Sequence, residues 1–425
     1  MKNLILLVCI GFAVFMSAGT VGPISSLYYE SLGANYALIG LLGTTTWTGS
    51  ILFSYLWGRA SDYFGRRKPF LVIGLVVLSV SYALTALVQR YEWLFPLRII
   101  AAAAQAAYGT TSLALMGDLL EHRTKQRGRD MGIYRGLCSL GFGIMAFVSG
   151  GLADWLSLSF PFVLSALFLG VAVLFALAIS EPVPDEQMRG LVGWRQFTRL
   201  ISVSFKAVWG QTLSYRVRAR SGGAVLLPGQ LPLTPLLVSA FLWSLVTGAV
   251  YAVWANYMVG QIGYTRAAMS QLWSLASSSE LVLMIAAGWL SDRMGRLPML
   301  SLGFVAWTLV FVGYVLAPGM PWILAVQLVR GFAYSAFTAT AMTYAAEVRG
   351  REQRGWVSGL YSSANGIGSI LGASMGGGLT QWLGFVPMIE INAMLIFGGA
   401  VYLGVEAVRH RRGVRLAQEG TKKEP

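Results

Sequence analysis

Runs of about twenty apolar residues recur along the chain, separated by short polar stretches rich in arginine and glycine. The cleanest cover about 3–25, 71–89, 160–180, 236–258, 299–317 and 386–408. Others, interrupted by glycine or one polar residue, cover about 38–58, 94–118, 132–153, 269–290, 321–345 and 356–382. A helix needs about 20 apolar residues to cross the hydrocarbon core of a bilayer, so the pattern predicts an all-α membrane protein with twelve transmembrane helices. Helices on the surface of a soluble core keep a polar face, and these runs do not. Residues 1–20 also fit a signal peptide, with Lys2, an apolar run and then Ser17-Ala18-Gly19. Their removal would leave eleven helices, so they are read as helix 1.

The chain repeats itself. Gly58-Arg59-Ala60-Ser61-Asp62-Tyr63-Phe64-Gly65-Arg66-Arg67 returns as Gly288-Trp289-Leu290-Ser291-Asp292-Arg293-Met294-Gly295-Arg296. Further on, Gln126-Arg127-Gly128 matches Gln353-Arg354-Gly355, and in unbroken register Gly141 meets Gly368 and Trp155 meets Trp382. Such a register marks an internal duplication. It divides the chain into a six-helix bundle over 1–181, a polar linker over 182–234, a second six-helix bundle over 235–408 and a basic tail over 409–425. Within the linker, Phe197, Leu200, Ile201, Phe205 and Val208 alternate with basic residues, which fits either an amphipathic helix on the inner leaflet or a simple tether.

Charge then orients the helices. The 425 residues are 56% hydrophobic and 12% charged, with a net charge of +14. If the N-terminus is cytoplasmic, nearly all lysines and arginines fall in cytoplasmic connections, and only Arg90 and Arg266 fall opposite. That is the positive-inside distribution. It places both termini in the cytoplasm and explains the basicity through the plasma membrane and its anionic inner-leaflet lipid rather than through nucleic acid. No Gly-x4-Gly-Lys-Ser/Thr loop points to ATP hydrolysis and no Cys/His cluster to a metal. No enzyme activity or cofactor is expected. Cys9 and Cys138 lie in separate predicted helices and read as packing residues.

With both hairpins in view, the sequence resembles the major facilitator superfamily, whose loop between helices 2 and 3 reads Gly-x-Leu-Ala/Ser-Asp-Arg-x-Gly-Arg/Lys-Arg/Lys. Gly58, Ser61, Asp62, Gly65, Arg66 and Arg67 fit, while Ala60 and Tyr63 depart; Gly288, Leu290, Ser291, Asp292, Arg293, Gly295 and Arg296 fit, while Leu297 departs. The resemblance implies a latch at the cytoplasmic side of the two halves, with Asp62 held by Arg127 or Arg123. Physically, Gly58 and Gly288 allow close helix contact, and Gly65 and Gly295 allow the tight turn. Helix 5 resembles that of drug–proton antiporters through Gly141, Gly143, Gly150 and Gly151, with Ala146-Phe147 where that family has Gly-Pro.

Ionisable residues inside a bilayer mark functional sites. Glu280 lies 12 residues before Asp292, about 18 Å from the hairpin at 1.5 Å per residue, near the midplane. It is the candidate proton or cation site; a structural carboxylate is the bland alternative. Gln327, Arg330, Tyr334 and Thr338 form one polar stripe of helix 10. The resemblance implies that helices 1, 4, 7 and 10 line the cavity, which makes Gln327, Arg330 and Tyr334 substrate-contact candidates. Tyr251, Trp254 and Asn256 of helix 7 join them, as do Arg98 and Gln105 of helix 4. Arg98 sits near the outer end and can equally snorkel.

These readings converge on a secondary transporter that moves a small organic solute by alternating access, acting as a monomer and exchanging the solute outward for protons. A proton-coupled importer of a sugar or similar nutrient, a flippase of a lipid-linked substrate and a membrane sensor without transport are the alternatives.

Overall fold

The computed structural model describes residues 2–64, 66–120, 127–180, 231–349 and 353–421. Regular structure among them is helical. The first half holds α1 (Lys2–Val21), α2 (Ser25–Ser31), α3 (Tyr36–Phe64), α4 (Lys68–Leu87), α5 (Leu94–Leu120), α6 (Arg127–Trp155) and α7 (Phe160–Leu177). The second holds α8 (Leu233–Asn256), α9 (Arg266–Met294), α10 (Arg296–Leu316), α11 (Met320–Glu347), α12 (Arg354–Leu383) and α13 (Phe385–Thr421). The amphipathic stretch read over 194–209 lies outside the described residues.

Nine described helices are long and apolar enough to cross a bilayer. The helix α9 adds a tenth as a span whose axis turns by 44° between Arg266–Glu280 and Val282–Met294. Helices α11 and α12 are as long but less apolar. Their smaller and more polar side chains suit positions among other helices rather than against lipid.

The duplication is visible in the packing. In the first half α1 packs on α6, α3 and α4 on α5, and α4 on α7. The second half repeats this with α8 on α12, α9 and α10 on α11, and α10 on α13. Equivalent helices also join the halves, α6 against α9 and α3 against α12. These two seams are tight because they are built on glycine. A Cβ at Gly150 would run into the carbonyl of Arg266, and one at Gly377 into the carbonyl of Tyr36 and the Cα of Gly40.

Candidate functional site

The functional geometry begins with which ends of the seams are closed. Among the described residues, the hydrogen bonds that cross between halves lie towards the ends of α3, α6, α9 and α12 remote from the hairpins, and between α2 and the end of α8. Ser274 Oγ donates to the Gly143 carbonyl at 2.8 Å, and the Gly150 amide donates to Ser270 Oγ at 3.1 Å. Arg266 pairs with Asp154 at 3.6 Å. Across the other seam Thr44 Oγ1 donates to the Ile370 carbonyl at 3.0 Å, and the Tyr36 amide donates to Gln381 Oε1 at 3.1 Å. At the hairpin ends the picture differs. Among the described residues, a Cβ added at Gly58 or Gly288 would meet nothing within 4 Å. The close helix contact expected at these two glycines is therefore not made in this conformation.

The second hairpin is organised within its own half. Gly295 takes φ +93° and ψ 160° between α9 and α10, a positive-φ backbone that glycine adopts without strain. Arg296 donates to Asp292 Oδ1 at 2.6 Å and to Ser291 Oγ at 3.0 Å. Its other face makes a two-point bond to Glu347 of α11, at 2.9 and 2.8 Å. Arg293 stacks 3.8 Å over the Trp289 ring. In the first hairpin Arg67 donates to Ser61 Oγ at 3.2 Å, and Arg66 is exposed. Gly65 and Arg123, with the side chains of Asp62 and Arg127, lie outside the described residues.

Most of the intramembrane candidates gather in the second half. Arg330 is only 6% exposed. Its guanidinium lies 4.6 Å from the centre of the Tyr251 ring and 5.0 Å from that of Trp273, so two aromatic faces hold it. Each such contact is worth about 2 kcal/mol when water is excluded. One Nη1 donates to Gln327 Oε1 at 3.2 Å. Trp254 continues the cage, 5.4 Å from Trp273 and 5.8 Å from Tyr314. Tyr334 stands one turn away beside Trp243, at 5.8 Å. The polar stripe of α11 thus turns inward as expected, but Arg330 is enclosed by rings rather than open.

Glu280 lies halfway along α9, at the bend. Its backbone carbonyl accepts from Ser335 Oγ of α11 at 3.1 Å. Gly331 makes that approach possible, since a Cβ there would overlap Ser279. The Glu280 carboxylate has no ion-pair partner within 4.0 Å among the described residues, yet it lies close enough to Arg330 for their charges to interact. The arrangement is a partly buried acid near, but not touching, a buried base. An acid so placed can take up and release a proton without first breaking a salt bridge.

Three candidates lie elsewhere. Asn256, fully buried, donates from Nδ2 to Glu30 Oε2 of α2 at 2.6 Å. It belongs to the seam between the halves rather than to the aromatic cage. Arg98 stacks 5.2 Å from the Tyr29 ring in the first half, and Gln105 is exposed on α5. Sequence reasoning missed Glu30, which also accepts from Tyr36 Oη at 2.9 Å, and the Asp154–Arg266 pair. The available signal was their survival as charges on the side that carries so few. It also missed the π-helical turn Tyr257–Gln261 after α8, an irregularity that often accompanies function.

Comparison with known proteins agrees with this architecture. The model of the family described as MFS_1 like matches residues 4–388. An uncharacterized MFS-type transporter of Methanocaldococcus jannaschii is 23% identical, the match covering 95% of this chain and 98% of the relative. Multidrug resistance protein 2 of Bacillus subtilis is 22% identical over 91% of both chains. Among solved structures, a mutant of the nucleoside transporter NupG superposes with a TM-score of 0.77 at 16% identity, covering 95% of this chain and 99% of that one.

Proposed function

The chain belongs to the MFS_1-like family of major facilitator transporters, and from that premise we propose that it exports a small organic solute in exchange for protons, with Glu280 as the exchange site. It is an integral membrane transporter and not an enzyme. The observation that carries the finer reading is the setting of Glu280: mid-helix, at a bend, without a salt bridge, within electrostatic reach of Arg330. Protonation would alter the local charge without dismantling a hydrogen-bonded pair, so each turnover can reset it. The aromatic walls around Arg330, Tyr251 and Trp273 with Trp254 packed on both, suit a solute with an apolar body. Outward direction is supported by the relative named a multidrug resistance protein.

Alternating access requires the two seams to close at one end at a time. Their closure remote from the hairpins and the empty space at Gly58 and Gly288 fit a state whose cavity opens on the hairpin side. The positive-inside distribution supports reading that side, the linker and both termini as cytoplasmic. The deciding experiment uses purified protein in proteoliposomes with an imposed pH gradient. Glu280→Gln should abolish gradient-driven movement of a solute while leaving solute–solute exchange. Gradient-driven transport at the unsubstituted rate would refute the assignment.

A further inference from the structure

We propose that the arginines closing α13, together with the tip of α9, form a binding site for an anionic phospholipid. This site is separate from that of the transported solute and rests only on the reading of the chain as membrane-spanning.

The outer face of α13 shows where the bilayer lies. Met394, Phe397, Val401, Val405 and Val408 are 73, 53, 51, 43 and 52% exposed. Their spacing puts them in one stripe along the helix. Buried Asn392, Ile396, Ala400, Leu403 and Ala407 occupy the other face. A stripe this apolar, turned away from the protein, faces acyl chains. Glu390 precedes it and Arg412 follows it, both exposed and both in register. They are 22 residues apart, about 33 Å at 1.5 Å per residue, against about 30 Å of hydrocarbon. Arg412 therefore stands at the level of the headgroups, directly above the lipid-facing stripe.

Other cations meet it there. Arg411 donates to the Met294 carbonyl at the end of α9 at 3.0 Å, which brings the end of α13 beside Arg293. Arg409 lies one residue before His410 on the same exposed turn. The neighbouring carboxylates are already engaged: Asp292 and Glu347 by Arg296, and Glu406 by Arg409 at 2.8 Å. Arg412 has no acidic partner within 4.0 Å among the described residues. The cluster thus keeps a positive surplus at headgroup depth, over an exposed apolar stripe suited to acyl chains. A phosphodiester lipid supplies both halves of that description, and a soluble anion supplies one.

The test measures lipid binding by the full-length protein in neutral detergent, using phosphatidylglycerol and phosphatidylcholine of identical acyl chains. Each basic residue near an anionic surface is worth about fivefold in affinity. Phosphatidylglycerol should bind the more tightly, Arg412→Gln should lower its affinity about fivefold, and a combined Arg409→Gln, Arg411→Gln, Arg412→Gln variant should bring the two lipids to parity. Arg90→Gln, on the opposite side, should change nothing. Should the combined variant unfold, Arg412→Gln alone carries the result, since that side chain has no ion pair to lose. Equal binding of the two lipids by the unsubstituted protein, an unchanged preference in Arg412→Gln, or displacement of the lipid by glycerol 3-phosphate would each overturn the proposal.

Discussion

Glu30 and Asn256 come from opposite halves of the chain and meet through a hydrogen bond of 2.6 Å. The second oxygen of the same carboxylate accepts from Tyr36 at 2.9 Å, so one acid holds α2, α3 and α8 together at the closed end of the seams. A hydrogen bond to a charged group contributes about 1.5–3 kcal/mol, roughly ten- to a hundredfold in the balance between closed and open. Asn256→Leu should shift the protein towards opening at this end by about that factor. Asn256→Asp should shift it further, since two carboxylates would then face each other. Distances between spin labels at the outer ends of α3 and α12 report the shift. Identical distributions in all three proteins would show that the contact is not a gate.

The seams themselves make a second prediction. Gly150 and Gly377 lie against backbone of the other half, and any side chain there must push the halves apart. Gly150→Val or Gly377→Val should keep the closed end from sealing. Transport should fall at least about tenfold, which corresponds to 1.4 kcal/mol, while the helical content measured by circular dichroism is retained. The equivalent change at Gly151, whose Cβ would meet nothing within 4 Å, should leave transport near its starting rate.

The long apolar runs and the repeated hairpin were legible in the sequence because lipid exposure demands unbroken apolar stretches and a duplicated fold keeps its turn residues. The inward stripe of Gln327, Arg330 and Tyr334 was legible for a similar reason, as a helical period. The rings that enclose Arg330 were not, because Tyr251 and Trp273 arrive from two other helices. Asn256 read as a cavity residue for want of its partner, which lies 226 residues earlier in the chain. The segment after Val408 was legible as a basic tail but not as helix, because hydropathy stops near Val408 whereas the helix continues to Thr421.

Glu280 and Arg330 interact without touching, and that arrangement is open to a double-mutant cycle. If Arg330 sets the charge environment of Glu280, then Arg330→Gln should weaken the response of transport to an imposed pH gradient, and Glu280→Gln should remove it. The double variant should be no worse than Glu280→Gln alone. Groups that share one electrostatic task typically show coupling of about 0.5–3 kcal/mol. Arg330→Lys should rescue little, since a lysine keeps the charge but loses the planar stacking on Tyr251 and Trp273. Additive losses across the cycle would separate the two residues.

The closed ends of the seams also fix what must meet when the hairpin ends close. Along α3 and α12, residue numbers in contact run in opposite directions: Tyr36 with Gln381, Gly40 with Gly377, and Ile51 beside Gly366. Continuing that antiparallel register for another two turns brings Gly58 opposite Gly359. Among the described residues, a Cβ at either position would now meet nothing within 4 Å. On the other seam, Gly150 with Ser270 and Gly143 with Ser278 extend to Gly136 opposite Ile285, which is 75% exposed. In both cases a glycine waits across an open gap, so the contact expected of Gly58 belongs to the other conformation. Cysteines at Gly136 and Ile285, or at Gly58 and Gly359, should cross-link only when the hairpin ends approach. Cross-linking should rise when Asn256→Leu loosens the opposite end and should arrest transport reversibly. Cysteines at Gly136 and Val282, about a turn out of register, should link far more slowly, and equal rates for the two pairs would contradict the register.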